Sequence, residues 1–305
     1  MKVAIIGSGP AGITCANNLI NATKKIEVTI YDELSEFGGM IAYGIPEFRV
    51  PLNNIKEQIE FAKTKGIKFV QKKVESVVEL LGEFDKVVIA IGAGKGKKVG
   101  IKGENNPKII DGLEFLHDTK LLNKKFFEKG NIVGIVGGGN ASIDAAIVAA
   151  MQGAKVTLIY RRTEKEMPVF ANALGEAKKV GINFEFLVNP IEYYERDEKI
   201  IANCAIMKLG ENDESGRAKP IDTGERKEII FDKIVLAFGQ QHNLTWLAKE
   251  GIATEWNNIK VDNYKTSKEN VFACGDAIYG AKNIGEATLS GISCAKAILF
   301  EQYKK

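Results

Sequence analysis

The chain reads as an α/β protein made of two interleaved Rossmann-like dinucleotide-binding domains. Three observations predict this. A GxGxxG turn, Gly7-Ser8-Gly9-Pro10-Ala11-Gly12, follows a short apolar strand and opens a helical stretch. A second turn, Gly137-Gly138-Gly139-Asn140-Ala141-Ser142, recurs in the same context 130 residues later. Glycine supplies 31 of the 305 residues, about 10% where an average near ~7% is usual, so the chain demands tight turns or close backbone approach.

In order along the chain, Val3-Ala4-Ile5-Ile6 is a continuous apolar run, as expected of a strand buried on both faces. The first glycine turn and a helix to about Ala22 follow, then a strand Val28–Tyr31 ending in Asp32-Glu33. A helix Asn53–Lys65 is closed by Gly66, and strands Lys68–Gln71 and Lys86–Ile91 precede Gly92-Ala93. The second unit repeats the plan: strand Ile132–Val136, glycine turn, helix Ile143–Gln152 stopped by Gly153, strand Val156–Tyr160. Next come a helix Val169–Lys179, strands Phe184–Leu187, Ile200–Leu209 and Glu228–Phe231 with the polar segment Gly210–Gly224 as an exposed hairpin loop, and a strand Lys233–Phe238. The chain closes with strand Val271–Ala273, the turn Cys274-Gly275-Asp276, and a helix from about Gly285 to Tyr303.

Composition narrows the function classes. Hydrophobic residues at 45% and charged residues at 27% fit an ordinary globular chain. A net charge of +3 is too small to argue for nucleic-acid binding. No apolar run approaches the ~18–20 residues that span a bilayer, and the four apolar residues between Lys2 and Gly7 are too few for a signal peptide. The expectation is a cytoplasmic protein without membrane or nucleic-acid partners. Cys15, Cys204, Cys274 and Cys294 show no CxxC or zinc-type spacing and read as reduced thiols. With only His117 and His242, a histidine-rich metal site has no material.

Each turn carries chemistry. In GxGxxG the first glycine permits the tight turn and the second lets backbone approach a pyrophosphate. The third lets helix and strand pack, and the helix N-terminus faces the anion. In the first unit these are Gly7, Gly9 and Gly12, with Pro10 and Ala11 opening the helix. Asp32, 20 residues past Gly12 and with Glu33 beside it, is placed to accept hydrogen bonds from ribose hydroxyls. The second unit has Gly137, Gly139 and, in place of the third glycine, the small Ser142. Its second strand ends not in an acid but in Tyr160-Arg161-Arg162, two of only six arginines in the chain. Arginine forms charge-assisted bidentate bonds to a 2′-phosphate, which an acid would repel. The second unit is therefore expected to take NADP(H). An acid in the first unit permits NAD or FAD, and the Gly275-Asp276 turn argues for FAD. Asp276 is placed to bond a ribityl chain, and the helix N-terminus at Ile284-Gly285 to face the flavin N1/O2 edge.

These segments, with Gly38-Gly39-Met40-Ile41-Ala42-Tyr43-Gly44-Ile45-Pro46-Glu47-Phe48-Arg49 and Tyr160-Arg161-Arg162-Thr163-Glu164-Lys165-Glu166-Met167-Pro168, resemble the two-dinucleotide-fold FAD:NAD(P) oxidoreductases. Within that family they are most similar to the small (beta) subunit of NADPH-dependent glutamate synthase. The resemblance runs over almost the whole chain and implies a discontinuous FAD-binding domain, 1–107 with 241–305, and an inserted NADP-binding domain, 108–240. The turns Ala90–Ala93 and Ala237–Gln240 resemble the family's paired domain crossings. By resemblance Gly39, Met40, Arg49, Gly92 and the backbone near Val74 line the FAD site, while Asn140 and Ala141 offer N–H groups to the NADP pyrophosphate. Phe37 stands where the family often has Pro, and Val169 where Ala often follows Met-Pro. The cysteine-rich iron–sulfur domain usual in the small subunit has no counterpart before Val3, so no cluster is expected in this polypeptide.

The implied activity is hydride transfer from NADPH to FAD, with electrons passed to a partner: a glutamate synthase large subunit, or an iron–sulfur protein such as ferredoxin. The cofactors carry that chemistry, so no catalytic side chain is expected. The alternatives are a free-standing NADPH:ferredoxin or other acceptor reductase, and a non-catalytic FAD- and NADP-holding subunit of a larger complex. An oligomer is possible on either reading.

Overall fold

The run Lys2–Ile6 forms a strand whose residues 3–6 are all buried, as in a parallel sheet covered on both faces. The computed structural model, which describes residues 1–214 and 216–303, places it at the centre of a five-stranded sheet. The strand order is 271–273, 86–89, 2–6, 27–32, 68–71, and every pairing is parallel. Alternate side chains point to opposite faces. Val3, Ile5, Val28, Ile30, Val88 and Phe272 pack under helices 10–22, 52–64 and 284–303. Ala4, Ile6, Val87, Ile89, Val271 and Ala273 pack under the shorter helices 77–81 and 245–249.

These elements make one of two compact units, residues 1–95 with 240–305; the other is residues 96–239. The second unit holds its own five-stranded parallel sheet, ordered 109–111, 233–236, 132–136, 155–160, 183–186. Helices 112–122, 140–151 and 173–179 accompany it. A three-stranded antiparallel sheet, 188–196, 199–212 and 218–231, adds Tyr193, Ile200, Ala202 and Phe231 to a shared core with Val136 and Ile159.

Three expectations are corrected. The first crossing between units falls at 95/96, before the expected 107/108. The intervening loop belongs to the central unit: Lys102 O accepts from Tyr193 N at 2.8 Å, and a Cβ on Gly103 would lie 2.0 Å from Tyr193 O. The segment 210–224 is largely strand, with pairings Lys208↔Ile221, Leu209↔Pro220 and Asn212↔Ala218. Its polar side chains mark a solvated sheet face rather than a loop. The helix expected from Val169 starts at Ala173, because Val169 N turns back to Met167 O.

The last helix is pinned under the first sheet by a partly buried charge network. Lys86 Nζ donates to Glu301 Oε2 at 2.5 Å and to Asn270 Oδ1 at 2.8 Å, and Lys265 also pairs with Glu301. Bonds from Lys265 and Lys86 hold the Glu301 carboxyl below its usual range. A carboxyl held low in the folded state stabilises above its unfolded value, about 4.3, and that contribution is lost as pH falls through the lower folded value. Glu301→Gln should therefore cost on the order of 2 kcal/mol at pH 7, less than the ~3–5 of a fully buried pair. The cost should shrink towards pH 3. Chemical denaturation of both proteins across that range checks it; an equal deficit at every pH contradicts it.

Candidate functional site

Both glycine turns lie where ligands bind in open α/β sheets, at the carboxyl ends of parallel strands. Gly7 leaves the central strand at φ +108°, and a Cβ there would sit 2.2 Å from Ala90 O on the neighbouring strand's exit. A Cβ on Gly12 would sit 2.1 Å from Gly7 O, so the helix can approach the turn only without one. Pro10 begins that helix, where its missing N–H costs nothing. Asp32 reaches back over the turn: Oδ2 accepts from Ser8 N at 2.8 Å and from Ser8 Oγ at 2.6 Å, and Oδ1 accepts from Leu34 N at 3.0 Å. Ser8 Oγ in turn accepts from Gly38 N at 3.0 Å. This chain of bonds carries Gly39 onto the turn, where its Cβ would lie 2.7 Å from the Gly9 Cα.

Gly39 precedes the short helix Met40–Tyr43, and Met40 O accepts from Gly44 N at 2.9 Å. Burial, with Asp32 and Glu33 nearby, pushes the Tyr43 hydroxyl up to about 12. Glu33 itself is exposed. Arg49 stacks over the Phe48 ring at 5.3 Å. Val74 lies on the loop after strand 68–71 and packs against the core. Gly92 sits at φ +63° with nothing within 4 Å of a Cβ.

The distant end of the chain meets this turn at Ala11. A Cβ on Gly275 would lie 2.7 Å from Ala11 Cβ, and one on Gly291 would lie 2.3 Å from Ala11 O. Ser290 Oγ accepts from Gly275 N at 2.8 Å, which fixes the turn that presents Asp276. Burial raises the Asp276 carboxyl, opposed by the Lys282 N–H and by His242. Ile284 and Gly285 start the last helix; Asn283 Oδ1 caps it through Glu286 N at 2.9 Å. Glu286 pairs with Lys282 at 3.1 Å and serves the helix start.

The second turn repeats the first with one change. Gly137 is at φ +150°, with a Cβ placed 2.4 Å from Ala237 O, again on the neighbouring strand's exit. At the third position Ser142 is buried and its Oγ donates to Gly139 O at 2.6 Å. Gly139 is at φ −98° and faces open space. Asn140 and Ala141 begin the helix, and Asn140 Oδ1 accepts from Phe170 N at 3.0 Å.

The arginine pair is divided. Arg161 is exposed at the end of strand 155–160. Arg162 is only 4% exposed; its Nε donates to Ala218 O at 2.7 Å and its Nη2 to Asp213 Oδ2 at 2.5 Å. The expectation that both read a phosphate is corrected to this extent: Arg162 is engaged within the fold.

Sequence reasoning missed three contributors. Ser8 is the variable position of the fingerprint yet links Asp32 to Gly38. His242 donates from Nδ1 to Gly92 O at 2.8 Å. Asp213 lies in a segment read as a loop. Only Ser8 had a local signal, its place inside the turn. All four cysteines are free and buried. Cys294 bonds both Cys15 and Cys274, and burial pushes its thiol well up, so these are packed thiols. Among the described residues no group of acids, histidines and cysteines can hold a metal, and no helix is long and apolar enough to cross a membrane.

The pyridine nucleotide-disulphide oxidoreductase profile matches residues 1–291, and the chain belongs to that family. It is thereby an oxidoreductase that uses FAD and a pyridine nucleotide. It is 37% identical over 313 residues to the NADP(+)-dependent formate dehydrogenase subunit beta of Moorella thermoacetica, covering 99% of this chain and 44% of the relative. It is 29% identical over 323 residues to the glutamate synthase [NADPH] small chain of Escherichia coli, covering 98% and 68%. The chain thus spans less than half of the first of these. The fold is similar to that of Mycobacterium tuberculosis FprA solved with NADPH, with TM-score 0.85, 19% identity, and coverage of 99% and 84%.

The two turns separate packing from ligand approach. Gly12→Ala cannot be accommodated, whereas Gly9→Ala and Gly139→Ala meet open space or ordinary contact. Both latter variants should keep the wild-type unfolding midpoint. Gly9→Ala should lose bound flavin, and Gly139→Ala should bind NADP(H) about tenfold or more weakly, because the added Cβ stands where a pyrophosphate approaches. Flavin absorbance and nucleotide titration measure this; unchanged binding in both would show that these glycines serve only the turns.

Proposed function

We propose that the chain is an FAD-dependent NADPH oxidoreductase module that passes electrons to a partner polypeptide or domain. The unit 1–95 with 240–305 is the FAD-binding part and the unit 96–239 the NADP-binding part. The observation that carries this reading is the contrast at two equivalent strand ends. After strand 27–32 stands Asp32, a carboxylate whose Oδ1 accepts, among the described residues, only from Leu34 N and keeps a lone pair for a ribose hydroxyl. After strand 155–160 stands Arg161, an exposed guanidinium suited to a 2′-phosphate.

When bound, FAD supplies the hydride acceptor and the means of passing electrons on singly or in pairs. The chain's own residues position and exclude. The Gly7–Gly12 turn and the N-terminus of helix 10–22 would receive the flavin pyrophosphate, and Gly139 with the N–H groups of Asn140 and Ala141 would receive that of NADP(H). Asp276, on the turn held by the Gly275–Ser290 bond, would bond the ribityl chain. The side of the last helix that begins at Ile284-Gly285 favours negative charge on the flavin's N1 edge.

The partner class follows from what the relatives have in common. Both are named as one component of a larger NADP-linked enzyme, although one acts in formate oxidation and the other in glutamate synthesis. The matched segment is common to both, while the reactions that their names give differ. A glutamate synthase small-subunit role is therefore one form of a general role, electron exchange between NADP(H) and an attached redox partner.

Anaerobic titration of the flavin-loaded protein with NADPH and with NADH tests this. Flavin bleaching should occur at lower NADPH than NADH concentration. Arg161→Ala should weaken NADPH by about ten- to a hundredfold, the worth of charge-assisted bonds at ~1.5–3 kcal/mol, and leave NADH nearly unchanged. Flavin that neither nucleotide reduces would contradict the hydride step. Equal losses for both nucleotides would contradict the 2′-phosphate role.

A further inference from the structure

We propose that Asp213, on the far antiparallel hairpin, is a positioning residue for the 2′-phosphate subsite, acting through Arg162 to hold Arg161 in place. This rests on the NADP reading above and extends it to a residue outside every fingerprint.

The geometry is a clamp. Arg162 is buried at the end of strand 155–160 and carries two bonds to the hairpin between strands 199–212 and 218–231, one to Asp213 Oδ2 and one to Ala218 O. Its backbone is held too: Arg162 O accepts from Leu187 N at 3.1 Å, and Leu187 O accepts from Met207 N at 2.7 Å on the same antiparallel sheet. Leu187 adopts φ +57° to make this link, a conformation rare for a branched side chain. On the other side of Arg161, Tyr160 OH donates to Glu166 O at 2.9 Å. Beyond Arg162, Thr163 and Glu166 form a capping box, with Glu166 Oε2 accepting from Thr163 N at 3.1 Å. Arg161 is therefore exposed between two buried and hydrogen-bonded neighbours, Tyr160 and Arg162.

Charge explains why an acid is needed. A buried guanidinium without a partner is strongly destabilising, so Arg162 can serve as an anchor only while Asp213 neutralises it. With that charge satisfied, the exposed guanidinium of Arg161 is left to discriminate a 2′-phosphate from a 2′-hydroxyl. Positioning of this kind matters because a displacement near 1 Å at a charged contact can cost a large factor in binding or rate.

The test uses the flavin-loaded protein and two probes that differ only by the phosphate in question, adenosine 2′,5′-bisphosphate and 5′-AMP, titrated by calorimetry. Wild type should prefer the bisphosphate. Asp213→Asn should weaken the bisphosphate on the order of tenfold, leave 5′-AMP unchanged and retain the flavin. Asp213→Glu should restore most of the preference. If Asp213→Asn does not fold, Arg162→Lys, which keeps the charge and gives up the fork to Ala218 O, carries the same expectation. A wild type without preference defeats the NADP reading itself. A wild type with preference that Asp213→Asn retains, or equal weakening of both probes, defeats the positioning role alone. Tighter bisphosphate binding by Asp213→Asn would mean that Asp213 holds Arg162 away from the ligand, and would defeat it too.

Discussion

The structure depends on how closely backbone may approach backbone at the exit of each central strand. Gly7 lies under Ala90 O and Gly137 under Ala237 O, and in both places a Cβ would fall far inside contact distance. In each unit the carbonyl belongs to the next strand of the same parallel sheet, at the point where the chain leaves it. That contact sets how tightly the glycine turn is drawn in. The turn then sets where the following helix begins, and the helix start is the anion-binding surface. Changing the first glycine would therefore disturb strand packing and ligand site together.

The two units solve the remainder differently. In the first, Gly12 is bare and the helix closes onto Gly7 O; the last helix also comes within reach of Ala11, at Gly291. Small residues are stacked there because two helices and two turns converge on one spot. In the second, the small Ser142 stands at the third position with its hydroxyl returned to Gly139 O. The departure from glycine at the third position is thus accompanied by a local hydrogen bond that satisfies the buried hydroxyl.

Much of this was legible in the sequence where the cause is local. Both turns, their strands and helices, and the acid-versus-arginine contrast follow from residues within about thirty positions of one another. The family resemblance added Gly39, whose role depends on packing against Gly9 and has no periodic signal. What could not be read has causes far along the chain. Arg161 and Arg162 are adjacent and identical in type, yet a carboxylate 51 residues away assigns one to the interior. Segment 210–224 misled because a strand exposed on its outer face carries the composition of a loop. The helix 112–122 and the strand 188–196 were not anticipated. The first has a short amphipathic pattern, and the second holds Pro190 beside a register shift, both weak signals.

The division of the first unit has a consequence for synthesis. Its sheet needs strand 271–273 and its core needs helix 284–303, whereas residues 96–239 form an uninterrupted segment with a sheet of their own. On the ribosome the central unit has all its strands before the first unit has its last. Residues 1–95 must wait with an open sheet edge at strand 86–89, an apolar strand of the kind that recruits other chains. Expression conditions that slow translation past residue 240 would lengthen that wait. Yield, rather than the stability of the finished protein, would register the cost.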